Sequence, residues 1–327
     1  MPLPLLSVGI VPLPNFTMVA FAGFVDALRL AADEGDRSRP IRCRWTVLGE
    51  NRTVRASSGV AIQTDEALRA PEQFDYVAVV GGTMHGGPHE TPALLDFLRA
   101  ADRAQVPLIG LCTGSFTLAR AGLMRDHTAC VNWFHHEDYE AQFPGHRVVS
   151  DRLYLEDKRR LTCAGGISVV HVAGAVIDRH LGDGAAEPGR GILLEERGHA
   201  AQVVQPAPSL PADLQVSDPR VRRALLHMER HLTSGTCIEG AANAARVSRR
   251  TLQRAFTDAL GASPHQALQR LRVARAQRLL ATRQLPLPQV AQECGFSDES
   301  HLVKVFKAVT KQTTTQWRRR GTVSTTI

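Results

Sequence analysis

At 327 residues with 43% hydrophobic side chains, the chain is too long for one ordinary domain and suits two, each with its own core. Its net charge of +7 is segregated: residues 218–320 hold 19 Lys and Arg against 7 Asp and Glu, while the remainder holds 20 against 25. That is the footprint of a nucleic-acid-binding segment on an acidic body, and it excludes charge that serves solubility alone.

No apolar run approaches the ~18 residues of a membrane span. The opening MPLPLLSVGIVPLP has no basic n-region and is broken by prolines, unlike a signal peptide. Cys43, Cys112, Cys130, Cys163, Cys237 and Cys294 are scattered without a C-x-x-C pair. These features lead us to expect reduced thiols in a cytoplasmic protein, with no metal site, no cofactor and no membrane association.

In chain order, Leu6 to Val11 reads as a strand, and Thr17 to Ala32 as an amphipathic helix with Thr17 at its N-cap. Cys43 to Leu48 is a second strand, and Val54 to Ile62 folds back at Ser57-Ser58-Gly59 as a hairpin. Phe74 to Val80 is a continuous apolar strand running into Gly81-Gly82, followed by a helix from Pro92 to Gln105. Continuous apolar strands alternating with helices predict a parallel sheet covered on both faces. Val106 to Leu111 is the next strand, and Gly110-Leu111-Cys112-Thr113-Gly114 forms a G-x-C-x-G elbow before a helix from Thr113 to Ala121. Small residues flanking Cys112 permit a sharp turn, and the helix N-terminus beside it stabilises anions. Ligands of open α/β sheets bind beyond the carboxyl ends of the strands. The candidate ligand-binding residues are therefore Asn15 and Phe16 of the first loop, Gly81, Gly82, Cys112, Thr113 and Gly114, with Trp133 as a further wall able to hold a cation by its ring face.

The elbow GLCTGSFTLARAGL, the preceding VVGG, the later TCAGG and the opening PNFTMVAFAGFVDALRLA resemble class I glutamine amidotransferase-like (PfpI-type) domains. More specifically they resemble the branch fused to an AraC-type DNA-binding domain, the GlxA-like regulators of the AraC/XylS family. The resemblance spans nearly the whole chain and implies a flavodoxin-like parallel sheet sandwich followed by an all-α double helix-turn-helix domain. It also implies a small effector, amine- or amino-acid-like. In enzymatic relatives a His after the elbow helix serves as base and a carboxylate from the first loop sits by the sulfur. The matching positions here are Asn132, an amide, and a first loop without an acid. No residue is therefore assigned a catalytic role, and Cys112 is read as lining a pocket. The rival reading is a Cys-dependent hydrolase or amidase of the PfpI type carrying a DNA-binding tail.

The expected organisation is a ligand-sensing α/β domain over 1–205, a linker over 206–216 and an AraC-type domain over 217–320. Within the last, one pattern is written twice. Ala242 and Ala291, then Val247 and Phe296, correspond at an offset of 49, while Leu252 with Leu302 and Phe256 with Phe306 correspond at 50. Each copy is a short helix, a tight turn and a second helix that is apolar on one face, the pattern of a helix-turn-helix. In the first copy Arg246 stands where such turns usually have Gly, and Ser248 caps a recognition helix from Arg249 to Leu260. Arg249, Arg250, Gln253 and Arg254 face outward, with Arg250 and Arg254 expected on bases and Arg249 on phosphate. A helix from Pro264 to Leu280 joins the readers, with Arg272 and Arg275 expected in structural ion pairs. The second recognition helix is expected over Ser297 to Val309, offering Ser297, Ser300, His301 and Lys304. Thr310 to Thr314 replaces the family's Gly-x-Ser-Pro, which weakens the expectation of a last helix around Trp317. The expected partners are promoter DNA, a second copy of the chain in a homodimer, the effector and RNA polymerase.

Overall fold

The computed structural model describes residues 5–33, 37–84, 87, 89–195, 205, 210–235, 237–282 and 285–323. The chain divides into two compact units, Met1–Gln205 and Pro206–Ile327.

The first unit runs β1 (Leu6–Pro12), α1 (Met18–Ala32), β2 (Cys43–Val47), the hairpin β3 (Thr53–Arg55) and β4 (Ala61–Gln63), β5 (Tyr76–Val80) and α2 (Pro92–Arg103). It continues with β6 (Leu108–Leu111), α3 (Gly114–Arg120), β7 (Thr128–Cys130), α4 (His136–Gln142), β8 (Arg147–Val149), β9 (Tyr154–Asp157), β10 (Arg160–Cys163), α5 (Ser168–Leu181) and α6 (Glu187–Ile192). The main sheet has the order β2-β1-β5-β6-β10-β9. Its first five members are parallel and β9 is an antiparallel edge. Taken in chain order, the parallel strands are arranged 2-1-3-4-5, the flavodoxin-like order. Side chains alternate between the two faces with the period of a strand. Tyr76, Ala78 and Val80 enter one core with α1 and α5, whereas Val77 and Val79 enter the other with α2, α3 and α4. Burial on both faces is why these strands read as unbroken apolar runs.

The second unit holds α7 (Pro219–Arg230), α8 (Cys237–Ala244), α9 (Arg249–Leu260), α10 (Pro264–Thr282), α11 (Leu287–Glu293), α12 (Glu299–Thr310) and α13 (Thr314–Val323). Asp218 caps α7 by accepting from the Arg220 N–H at 2.8 Å. Two cores share one long helix. Ala267, Leu268 and Leu271 of α10 pack with α7, α8 and α9, while Val273, Ala276 and Leu280 pack with α11 and α12. Of the expected linker, residues 206–209 lie outside the described residues, and Leu210 and Leu214 are buried in the first of these cores.

Candidate functional site

The loops after β1, β5 and β6 meet at the carboxyl edge of the sheet and are laced together through backbone. Leu13 N donates to Val80 O, Thr17 N to Gly81 O, and Thr83 N to Asn15 O, each at 3.0–3.1 Å. The Thr113 hydroxyl donates to Gly82 O at 2.9 Å. The approach is so close that a Cβ on Gly82 would lie 1.9 Å from Asn15 O, so only glycine fits. Phe16 is fully buried in the core against Phe21, and Gly81 and Gly114 pack backbone to backbone. Among the candidate ligand-binding residues, Gly82 and Thr113 border a half-open space of about 250 Å³, which lies between the loops after β1 and β5 and helix α3. The same space is walled by His89, Glu90, Thr117 and Arg120. No sequence pattern marked these four, since Glu90 and Arg120 meet only through the crossover between β5 and α3.

Cys112 has φ +56, the left-handed turn expected of an elbow. Thr17 occupies the N-cap position of α1, yet its hydroxyl makes no cap bond; it sits 3.7 Å from the Cys112 sulfur instead. Burial pushes the Cys112 thiol up, and the Thr17 hydroxyl and Thr113 backbone offset only part of that. Asn132 is spent on backbone: its Nδ2 donates to Ala164 O at 3.3 Å and its Oδ1 accepts from Phe134 N at 2.9 Å. His135 hydrogen-bonds Asp138 at 3.1 Å in the turn that follows. A protonated thiol whose side-chain partner is a threonine hydroxyl is poorly set up for nucleophilic attack. Trp133 lies in a single 3-10 turn, with its N–H donating to the buried side chain of Gln205 at 3.0 Å.

In the second unit the repeat extends to conformation. After α8, Arg246 N donates to Asn243 O and Val247 N to Ala242 O; after α11, Gly295 N donates to Gln292 O and Phe296 N to Ala291 O. Both are Schellman closures around a left-handed residue, Arg246 at φ +57 and Gly295 at φ +78. A Cβ on Gly295 would lie 2.1 Å from Leu232 O, whereas Arg246 is exposed and tolerates its side chain. Ser248 caps α9 through Thr251 N at 3.1 Å, and Leu252 and Phe256 are fully buried. Arg249, Arg250, Gln253 and Arg254 are all exposed on its other side.

The second reader differs from expectation. Its helix begins at Glu299, because Asp298 rather than Ser297 provides the cap, accepting from His301 N at 2.8 Å. Ser297 therefore precedes the helix and hydrogen-bonds His301 Nδ1 at 3.1 Å, while the His301 ring packs edge-on against Phe296. Ser300 and Lys304 are exposed. The last helix also forms. Ser263 and Gln266 cap α10 reciprocally at 2.8 and 3.2 Å, and Thr313 and Gln316 cap α13 at the same distances. Trp317 is anchored by its Nε1 to Gln277 O at 3.1 Å. Arg272 departs from its expected ion pair: it donates to Leu232 O at 2.9 Å and lies over the Phe296 ring. Among the described residues no helix is long and apolar enough to cross a membrane.

Residues 38–178 match the DJ-1/PfpI family and residues 241–320 match a helix-turn-helix domain. The chain is 32% identical over 308 residues to the HTH-type transcriptional regulator GbdR of Pseudomonas aeruginosa, covering 92% of this chain and 81% of that protein. It is 27% identical over 317 residues to the HTH-type transcriptional regulator GlxA of Rhizobium meliloti, covering 96% of each. A crystal structure of an AraC family transcriptional regulator from Pseudomonas putida superposes with a TM-score of 0.51 at 24% identity, over 57% of this chain and 99% of that one, which bears on the fold alone. The chain belongs to the AraC-type, DNA-binding helix-turn-helix transcriptional regulators that carry an N-terminal DJ-1/PfpI domain, and it is a regulator rather than an enzyme.

Proposed function

We propose that the chain is a cytoplasmic, sequence-specific transcription regulator whose first unit binds a small amine- or amino-acid-like metabolite and whose second unit reads a promoter. The observation that carries the DNA half is the pair of geometrically matched readers on a segment of net charge +12. Arg250 and Arg254 take bases, Gln253 supports them, and Arg249 and the capped N-terminus of α9 take phosphate. Ser300 and Lys304 serve the second, weaker reader, with Ser297 and His301 at its edge. The effector half rests on the meeting of three loops at the point where the strand order reverses, between β1 and β5, which is where open α/β sheets hold ligands. Asn15, Gly82, Cys112 and Thr113 belong to that crevice, and Trp133 borders it in this reading. A homodimer addressing paired half-sites, with RNA polymerase as downstream partner, completes the reading.

The test is selection of binding sites from random duplex DNA by the full-length protein, followed by titration of the selected site with and without candidate metabolites. Recovery of one recurrent sequence whose affinity changes with a metabolite is the expected result. Binding that shows no sequence preference, or that no metabolite alters, overturns the corresponding half.

A further inference from the structure

The two recognition helices match position for position at an offset of 50, so Arg249, Arg250, Gln253 and Arg254 of α9 have Glu299, Ser300, Val303 and Lys304 as counterparts in α12. The second set keeps neither the guanidinium fork nor the amide with which α9 pairs bidentately to guanine and adenine. Val303 stands out among these exchanges, because a polar reader gives way to a purely apolar one. The fold does not account for it. Leu302 and Phe306 are fully buried in the core of this half of the unit and Val305 packs against that core, whereas Val303 belongs to neither set and is half-buried. It is turned about 100° from Leu302 around the helix, towards the side that exposes Ser300 and Lys304. Helix propensity does not account for it either, since β-branched valine is a poorer helix former than lysine, glutamate or glutamine. Val309 is also exposed, but it sits in the last turn of α12, while reading helices present their N-terminal residues to the bases.

We propose that Val303 is a specificity-determining residue that seats on the C5-methyl group of a thymine, so that the second reader recognises its half of the site by methyl contact rather than by hydrogen bonds. The proposal rests on the reading that α12 enters a major groove, and names the base chemistry it meets there. Thymine is the one base that presents an apolar group in that groove. Covering its methyl with the valine face removes both from water, which is favourable in proportion to the area covered. A base without the methyl leaves Val303 facing water or a polar edge, with nothing gained. Ser300 lies one turn earlier on the same side and is exposed. Its hydroxyl donates or accepts as the neighbouring base requires, so it adds contact without choosing between bases. Lys304 is left to the phosphate backbone. The two halves of the site are thus read by different chemistry: guanine and adenine by hydrogen bonds under α9, and thymine by its methyl under α12.

The experiment uses the full-length protein and the duplex it selects from random DNA. The second half of that site is found about 10 base pairs from the position at which Arg254→Ala relaxes preference. Each thymine there, on either strand, is replaced in turn by uracil, which removes the methyl and nothing else. The expected result is one thymine at which uracil weakens binding about fourfold for the native protein, the worth of one buried methyl, and leaves Val303→Ala unaffected. At the same position 5-methylcytosine is expected to bind better than cytosine, again for the native protein only. Val303→Gln gives α12 the residue that α9 uses and is expected to exchange the preference for thymine for one for adenine. Val303 lies outside the core and alanine favours a helix, so Val303→Ala is expected to fold. The uracil scan on the native protein decides the matter if it does not. Uracil tolerated at every thymine, or an equal uracil effect in Val303→Ala, overturns the assignment to Val303 and leaves the second reader in place. A selected site without base preference in its second half overturns the reading that α12 reads bases, and this inference with it.

Discussion

The Cys112 thiol combines an enzyme-like backbone with a non-enzymatic environment. Its φ of +56 places the sulfur over the sheet edge, yet burial raises its pKa and its side-chain neighbour is a threonine hydroxyl. Alkylation by iodoacetamide at pH 7 should therefore run slower at Cys112 than at a free thiol, quickening only in alkaline solution; a labelling rate faster than free cysteine would contradict this. Buried thiols also set a pH limit on the fold. Desolvation raises Cys43 in the first unit and Cys294 in the second from 9 to about 11. Because the folded state keeps the extra proton, stability is intact below pH 9 and falls as the pH climbs towards 11. Denaturant titrations at pH 8, 9.5 and 11 should show a steadily falling midpoint, while Cys43→Ala and Cys294→Ala flatten part of that slope. The left-handed turns give an opposed pair of substitutions. Arg246 adopts φ +57 with a side chain attached, so Arg246→Gly should raise stability by up to about 1 kcal/mol, glycine's freedom in the unfolded chain offsetting part of the gain. Gly295→Ala drives a Cβ into the Leu232 carbonyl and should cost on the order of 3 kcal/mol. Urea midpoints of the two variants that moved in the same direction would refute this account of the turns.

At the scale of elements, the two readers share a backbone and differ in what they present. Helix α9 exposes three arginines and a glutamine, while α12 opens with Asp298 and Glu299, whose charge favours the helix dipole and repels phosphate. Arg254→Ala is accordingly expected to cost about 1–3 kcal/mol and to relax preference at one base position, whereas Lys304→Ala costs less than about 1 kcal/mol and leaves preference unchanged. Equal losses from both variants on one selected duplex would refute the asymmetry. The same elements mark what the sequence made legible. The repeat was visible because Leu252 with Leu302 and Phe256 with Phe306 must face the core, and burial dictates residue type strictly. Caps and turns are less demanding, because a conformation can be met by several residues. Lys311 takes φ +60 where Gly261 takes φ +60, and Thr313 caps as Ser263 does, so α13 forms although the family's Gly-x-Ser-Pro is absent. The start of α12 is ambiguous in the sequence for the same reason: Ser297 and Asp298 are both capping types, and only the hydrogen bond from His301 N to Asp298 distinguishes them. The elbow was legible from its glycines, but the Glu90–Arg120 pair was not, since no spacing rule links residues brought together by a helix and a strand between them.

For the whole molecule, the separation of charge decides how binding responds to salt. The segment from Asp218 to Arg320 carries a net +12 and the rest of the chain −5, so the DNA-reading unit attracts phosphate while the remainder repels it. Each phosphate neutralised releases condensed counterions and contributes about −0.9 to the slope of log affinity against log salt. With Arg249 and Lys304 on phosphate and the capped helix ends adding neutral donors, the slope is expected near −2 for each protomer, doubling to about −4 for a dimer on paired half-sites. Arg249→Ala should lower the magnitude by about 1 per protomer across every DNA sequence, while Arg254→Ala should lower affinity chiefly on the selected sequence. Fluorescence anisotropy between 50 and 300 mM salt reads both slopes. A slope indistinguishable from zero would mean that the basic segment does not meet the phosphate backbone, and that the charge separation has another cause.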